Sequence, residues 1–276
     1  MILFEDKDVI VCHKPAGIPV QSARLGQKDM VSILNNHLAE KRMEVQSQTG
    51  AKQGQKRMEQ STQEAVYVVH RLDQPVEGVI VFAKNQKAAA NLTKQIQENQ
   101  MQKIYQAVCC VDKSSESEKT EGKCGKLSEK IDAVRITAAN SLQTKSDEKK
   151  QRIHLEDYMV KDGRTNCSRI AKKGEKDARL AVLDYEILAE NGQYKLVQVY
   201  LKTGRHHQIR VQLAYAGLPL YGDQKYNTQW ESFKLEEKAR LALCAVSLSF
   251  RHPVSGKKMT FEVEPENTAY RMCLGE

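Results

Sequence analysis

Nowhere does this sequence hold an apolar run near the roughly 18 residues that a membrane-crossing helix needs, and its opening MILFEDKD lacks the apolar core of a secretory signal. A membrane protein and an exported one are therefore not expected. No two of its seven cysteines (12, 109, 110, 124, 167, 244 and 273) stand in a C-x-x-C pair. An odd count without ligand spacing excludes a disulfide frame or zinc ribbon and points to reduced thiols in the cytoplasm. No linker isolates a second domain either. What is present is 276 residues with 40% hydrophobic content, enough for a sizeable core, and a formal charge of +8. That basic excess favours a polyanionic partner, because Lys and Arg displace counterions from phosphates.

The pattern along the chain predicts strands over 8–12, 65–69, 78–83, 104–111, 181–188 and 194–201, and a closing hairpin from 241–250 and 258–263. Pro15, Gly17 and Pro19 stop the first strand in a rigid loop, and Asp29 is placed to cap a helix carrying Val31, Leu34 and Leu38. Further helices are expected over 86–99 and 205–216, the latter stopped by Gly217 and Pro219. Residues 44–64 and 112–150 are polar, without period, and read as insertions. Strands outnumber helices and do not alternate with them. The expectation is an α+β fold, a mixed and largely antiparallel sheet with packed helices, in a single domain over 1–276.

Three segments carry chemistry. His70-Arg71-Leu72-Asp73-Gln74-Pro75 brings a basic pair and one carboxylate into a proline-ended turn. Taken alone, Asp73 is as well explained as a turn residue bonding nearby backbone. Thr203-Gly204-Arg205-His206-His207-Gln208-Ile209-Arg210 sets four basic-capable residues at an expected helix start, where phosphate or a carboxylate would be held. The plainer alternative makes Thr203 an N-cap and leaves the arginines solvated. The two histidines lack an Asp, Glu or Cys at ligand spacing, so no metal is expected. Lys103-Ile104-Tyr105 opens a strand with Lys and Tyr on one face, either an ordinary surface pair or a stacking platform beside an anion site.

In this order the segments resemble the RluA family of RNA pseudouridine synthases: Lys14-Pro-Ala-Gly17, His-Arg-Leu-Asp at 70–73, Lys-x-Tyr at 103–105 and Thr-Gly-Arg-x-His-Gln-Ile-Arg at 203–210. Gly217-Leu-Pro-Leu-Tyr-Gly222-Asp223 and His252-Pro253 complete the set, which spans about 8–264. The resemblance implies the pseudouridine synthase catalytic fold without a separate N-terminal RNA-binding domain. It implies an enzyme that cuts the uracil N1–C1′ bond and rejoins the base through C5, without cofactor. Asp73 would be the catalytic carboxylate, Tyr105 the residue stacking on the flipped uracil, and Arg210 the cation that pairs with the aspartate and keeps it ionised. Arg71 would fill the space the base vacates, with His70 beside it as a further RNA-binding and base-flipping residue, while Lys14 and Arg205 contribute charge to RNA and hold loops. The implied partner is RNA, ribosomal or transfer, met by a cytoplasmic monomer. Three departures stand out: His13 where Asn is common, Val76-Glu77 where Thr-Ser is common, and Cys244 where His is frequent.

Two other readings compete. One keeps the fold without turnover, as an RNA-binding or RNA-folding protein. The other is a metal-dependent phosphodiesterase using Asp73, Asp223 and histidines.

Overall fold

A computed structural model describes residues 1–24, 26–48, 65–111, 151–228 and 239–275. The expected insertion over 112–150 and the part of the first one beyond residue 48 lie outside the described residues. Four helices and eleven strands form among those described, and most strand pairs are antiparallel, as the α+β reading requires. The chain divides into two compact units, Met1–Ile104 with Cys244–Pro265, and Tyr105–Leu243 with Glu266–Glu276.

In the first unit β1 (Ile2–Glu5), β2 (Val9–Lys14), β4 (Glu77–Ala83) and β10 (Leu243–Arg251) lie side by side, with β3 (Tyr67–Val68) on β4 and β11 (Lys258–Glu262) on β10. β2 and β4 are buried on both faces, which is why both read as continuous apolar runs without alternation. On one face Val9, Val11, Val79 and Val81 pack with Leu248, Phe250 and the Ala88 and Leu92 side chains of α2 (Gln86–Gln97). Asn85 caps α2 by accepting from the Ala88 amide at 2.9 Å. Asp29 caps α1 (Met30–Gln48), accepting from the Ser32 amide at 2.7 Å, and α1 buries Met30, Leu34 and Leu38. Val31 stays only partly buried, and the helix continues past residue 44, where the sequence suggests an insertion.

The second unit orders its strands β5 (Gln102–Cys110), β9 (Tyr194–Leu201), β8 (Arg179–Asn191), β6 (Ile153–Asp162) and β7 (Cys167–Ala171). The α3 (Gln208–Tyr215) and α4 (Thr268–Leu274) helices complete it. Sequence patterning misses β1, β6, β7 and α4. β1 and α4 are short, and β6 and β7 leave most side chains at least partly in water, so their polar residues hide the strand period.

β4 and β10 run parallel, with Ala245 opposite Gly78. Gly78 has φ +127, and a Cβ there would sit 2.4 Å from the Ala245 backbone nitrogen and oxygen. Neither atom can retreat without breaking the pairing. Gly78→Ala should therefore lower unfolding free energy by about 3 kcal/mol in urea titrations; a loss under roughly 0.5 kcal/mol would show the strands part without cost.

Candidate active site

β2 ends in Lys14, which is 0% exposed. A buried ammonium needs acceptors, and Lys14 Nζ donates to the carbonyls of Pro15 at 3.0 Å, Ile18 at 2.8 Å and Gln74 at 3.2 Å. Gly17 N donates to Gln74 O at 2.8 Å, and Gln74 Nε2 returns a bond to Gly17 O at 3.0 Å. The Lys-Pro-Ala-Gly loop is thereby clasped to the turn that carries Asp73. That turn closes with Val76 N donating to Asp73 O at 3.0 Å, leaving Asp73 partly buried and Arg71 exposed beside buried Leu72. Burial brings the Lys14 ammonium down to about 8, opposed by the negative charges of Asp73 and Glu77. Two of the three departures from the family pattern meet here, since Glu77 is the register partner of Cys244.

His70 turns inward. Its Nε2 accepts from the Val81 amide at 3.3 Å, so in the neutral ring Nδ1 carries the proton. Burial, and then the nearby charge of Lys103, push His70 well below the usual imidazole range. Its service is to hold the turn rather than to offer charge. Lys103 is itself lowered to about 8 by burial, and Tyr105, two residues along β5, is buried.

In the second unit the basic segment starts its helix later than expected. Residue 207 is the N-cap of α3, in the left-handed region at φ 54. Thr203 is not the cap: its hydroxyl accepts from Val182 N and donates to Gln208 Oε1, both at 2.8 Å, while Arg205 N also donates to Gln208 Oε1 at 2.9 Å. Gln208 thus gathers the turn before the helix. Arg205 is exposed but tethered, its Nε donating to Leu180 O at 2.8 Å. Arg210 is 5% exposed and grips Asp223 with two bonds, Nε to Oδ2 at 2.8 Å and Nη2 to Oδ1 at 2.7 Å. Its Cζ lies 5.0 Å from the Tyr226 ring centre. The Tyr226 hydroxyl accepts from Ser168 N at 2.8 Å and pairs with His207 Nδ1 at 2.7 Å. Burial, followed by the charge of Arg210, depresses His207 to about 3, so that ring is neutral. The sequence offers Asp223 only as part of a motif and as a residue of the rival phosphodiesterase reading, not as the partner of Arg210, and Tyr226 and Ser168 are missed altogether.

Among the described residues, Asp6, Asp8 and His252 are close enough to share an ion. Their bonds have another use. His252 Nδ1 accepts from Val254 N at 3.3 Å and Ser255 N at 3.1 Å, which places the ring proton on Nε2 for donation to Asp6 Oδ2 at 2.8 Å. Asp8 Oδ1 accepts from Asn85 Nδ2 at 2.8 Å. The His-Pro motif fastens the β10–β11 turn to the β1–β2 turn.

The family model for RNA pseudouridylate synthase matches residues 8–215. The chain belongs to this family. Ribosomal large subunit pseudouridine synthase D of Zymomonas mobilis is 29% identical over 269 residues, covering 95% of this chain and 68% of that protein. tRNA pseudouridine synthase C of Yersinia pestis is 26% identical over 270 residues, covering 94% and 84%. The solved structure of human RNA pseudouridylate synthase domain containing 4 shares the fold at TM-score 0.60 and 19% identity, covering 98% of this chain and 90% of that one. This pseudouridylate synthase is of the RluA type. No helix among the described residues is long and apolar enough to cross a membrane.

Both His70 and His207 stay neutral in the fold but take up a proton when unfolded below about pH 6.5. Unfolding then binds protons, so stability rises with pH across the range below 6.5 and falls on acidification. His207→Asn keeps a residue that tolerates φ 54. It should flatten the slope between about pH 4 and 5.5 by about 1.4 kcal/mol per pH unit, read from urea midpoints. An unchanged slope would mean that His207 is protonated in the native state.

Proposed function

We propose that this protein isomerises uridines in ribosomal or transfer RNA to pseudouridine, with Asp73 as the catalytic carboxylate. The observation that carries this reading is the clasped turn, which presents one partly buried aspartate beside an exposed arginine in a chain of this family. In the reaction the N1–C1′ bond breaks, the base turns, C5 bonds to C1′, the C5 hydrogen leaves as a proton and N1 gains one. The uracil is never released, so one carboxylate suffices where hydrolytic glycosidases pair two.

A uridine stacked in RNA must first be extruded, at a cost of a few kcal/mol. Arg71, exposed and next to Asp73 in the turn, takes the vacated space. Lys14 and His70 act on the turn from beneath, and Arg205 reaches phosphate from its tether on Leu180. Tyr105 stacks on the flipped base. Arg210 keeps the aspartate ionised. Both compact units belong to this one catalytic domain, since residues 8–215 of the family model draw on each. The protein acts as a monomer in the cytoplasm, where reduced cysteines and its RNA substrates are found.

A silent RNA-binding protein would not need Asp73, Tyr105 and Arg210 together. A metal-dependent phosphodiesterase would need Asp223 as a ligand, and both of its oxygens are engaged by Arg210. Tritium release from RNA labelled at uridine C5 separates these readings, because only isomerisation displaces that hydrogen. The wild-type protein should release tritium with or without chelator. Asp73→Asn should fall to background while its RNA Kd stays within roughly threefold, because phosphate contacts dominate affinity. Turnover by that variant would strip Asp73 of its role. Arg210→Ala should lower kcat about 100-fold with little change in RNA affinity; weaker binding at full kcat would make Arg210 a phosphate contact.

A further inference from the structure

Gly222-Asp223 sits in a turn pressed against a neighbouring strand of chain. Gly222 has φ +71, and a Cβ on it would lie 2.3 Å from Arg240 O. Ala242 N donates to Tyr221 O at 3.0 Å, so the turn cannot drift away from that chain. Asp223, 1% exposed, follows at once. Its Oδ2 accepts from Arg210 Nε, and its Oδ1 accepts from Arg210 Nη2, from Lys225 N at 3.0 Å and from Tyr226 N at 3.3 Å. A carboxylate bonded this fully, away from water, is poorly placed to attack a sugar or take a proton. It is well placed to hold something else.

We propose that Asp223, together with Tyr226 from the same turn, is a positioning residue that fixes Arg210 in its working orientation. The inference rests on the catalytic role of Arg210 proposed above. A guanidinium is a planar fork with two usable edges. Asp223 takes the edge formed by Nε and Nη2, and Cζ lies over the Tyr226 ring at 5.0 Å. The two-bond grip sets the plane and the ring limits its movement, so the remaining edge, Nη1 with the second Nη2 proton, is aimed in one direction. Tyr226 is fixed in turn, because its hydroxyl is bonded to Ser168 N on β7 and to His207 at the start of α3, the helix that carries Arg210. The turn and the helix are thus tied at two points, Arg210 to Asp223 and His207 to Tyr226. Without Asp223, Arg210 would keep its charge and lose its aim. With Asp223, the pair is neutral overall, which lets a cation remain buried.

The test compares single-turnover tritium release, RNA Kd and thermal melting for Asp223→Asn, Tyr226→Phe, Arg210→Ala and the double variant Arg210→Ala/Asp223→Asn. Asp223→Asn keeps the shape and removes the charge; its rate should fall by about tenfold or more while Kd stays within roughly twofold. The double variant should be no slower than Arg210→Ala, because Asp223 has nothing left to orient. It should also melt above Arg210→Ala, since an unpaired buried carboxylate is gone. Tyr226→Phe retains the ring and loses two bonds, so a smaller slowing is expected, and this variant carries the test if Asp223→Asn does not fold. A wild-type rate in Asp223→Asn, or in a folded Tyr226→Phe should Asp223→Asn not fold, overturns the inference while Arg210 stays catalytic. So does a double variant slowed by the product of the two single effects. If Arg210→Ala itself turns over at the wild-type rate, the catalytic reading of Arg210 falls and takes the inference with it.

Discussion

A charge withdrawn from water has to be satisfied by fixed neighbours, and in each compact unit one such charge shapes the loop around it. The Lys14 ammonium is spent on three carbonyls, and because one of them belongs to Gln74, its burial pulls the turn of Asp73 onto the first loop. The Arg210 guanidinium gives one edge to Asp223, and because Asp223 belongs to a turn bonded back to α3 and β7, its burial draws that loop onto the helix. Each cation converts a cost of burial into a restraint on backbone. Neither is available as a loose surface charge for RNA. Arg71 and Arg205, by contrast, remain exposed.

Two of the histidines within the motifs follow the same logic with the opposite charge state. His70 and His207 lie near cations and away from water, so both remain neutral and serve as hydrogen-bond partners of Val81 N and Tyr226 Oη. A histidine beside an arginine in sequence suggests a phosphate grip. In the folded chain burial is the first reason both histidines are uncharged, with the charge of Lys103 beside His70 and of Arg210 beside His207 adding to it.

Much of this could be read from residue types. Continuous apolar runs at β2 and β4, the Asp29 cap, and the ordered motifs all point to the right elements, because each depends on neighbours in sequence. The start of α3 could not be read, since the Thr203 hydroxyl is claimed by Val182 and Gln208 instead of by the helix amides it seemed placed to cap. The partnership of Arg210 with Asp223 and Tyr226 was equally hidden, as were β6 and β7, whose polar side chains blur any alternation. The departures at Glu77 and Cys244 look unrelated along the chain. Strand register makes them partners, with Glu77 adding a second carboxylate to the field around Lys14.

The central claim is that a single aspartate, held on a turn by a buried lysine, isomerises uridine in RNA. Mapping pseudouridine across ribosomal and transfer RNA from cells that carry the gene, lack it, or carry only the Asp73→Asn allele tests it directly. The account predicts at least one uridine that is modified with the wild-type gene and unmodified in the other two strains. A pseudouridine map identical in all three would contradict it.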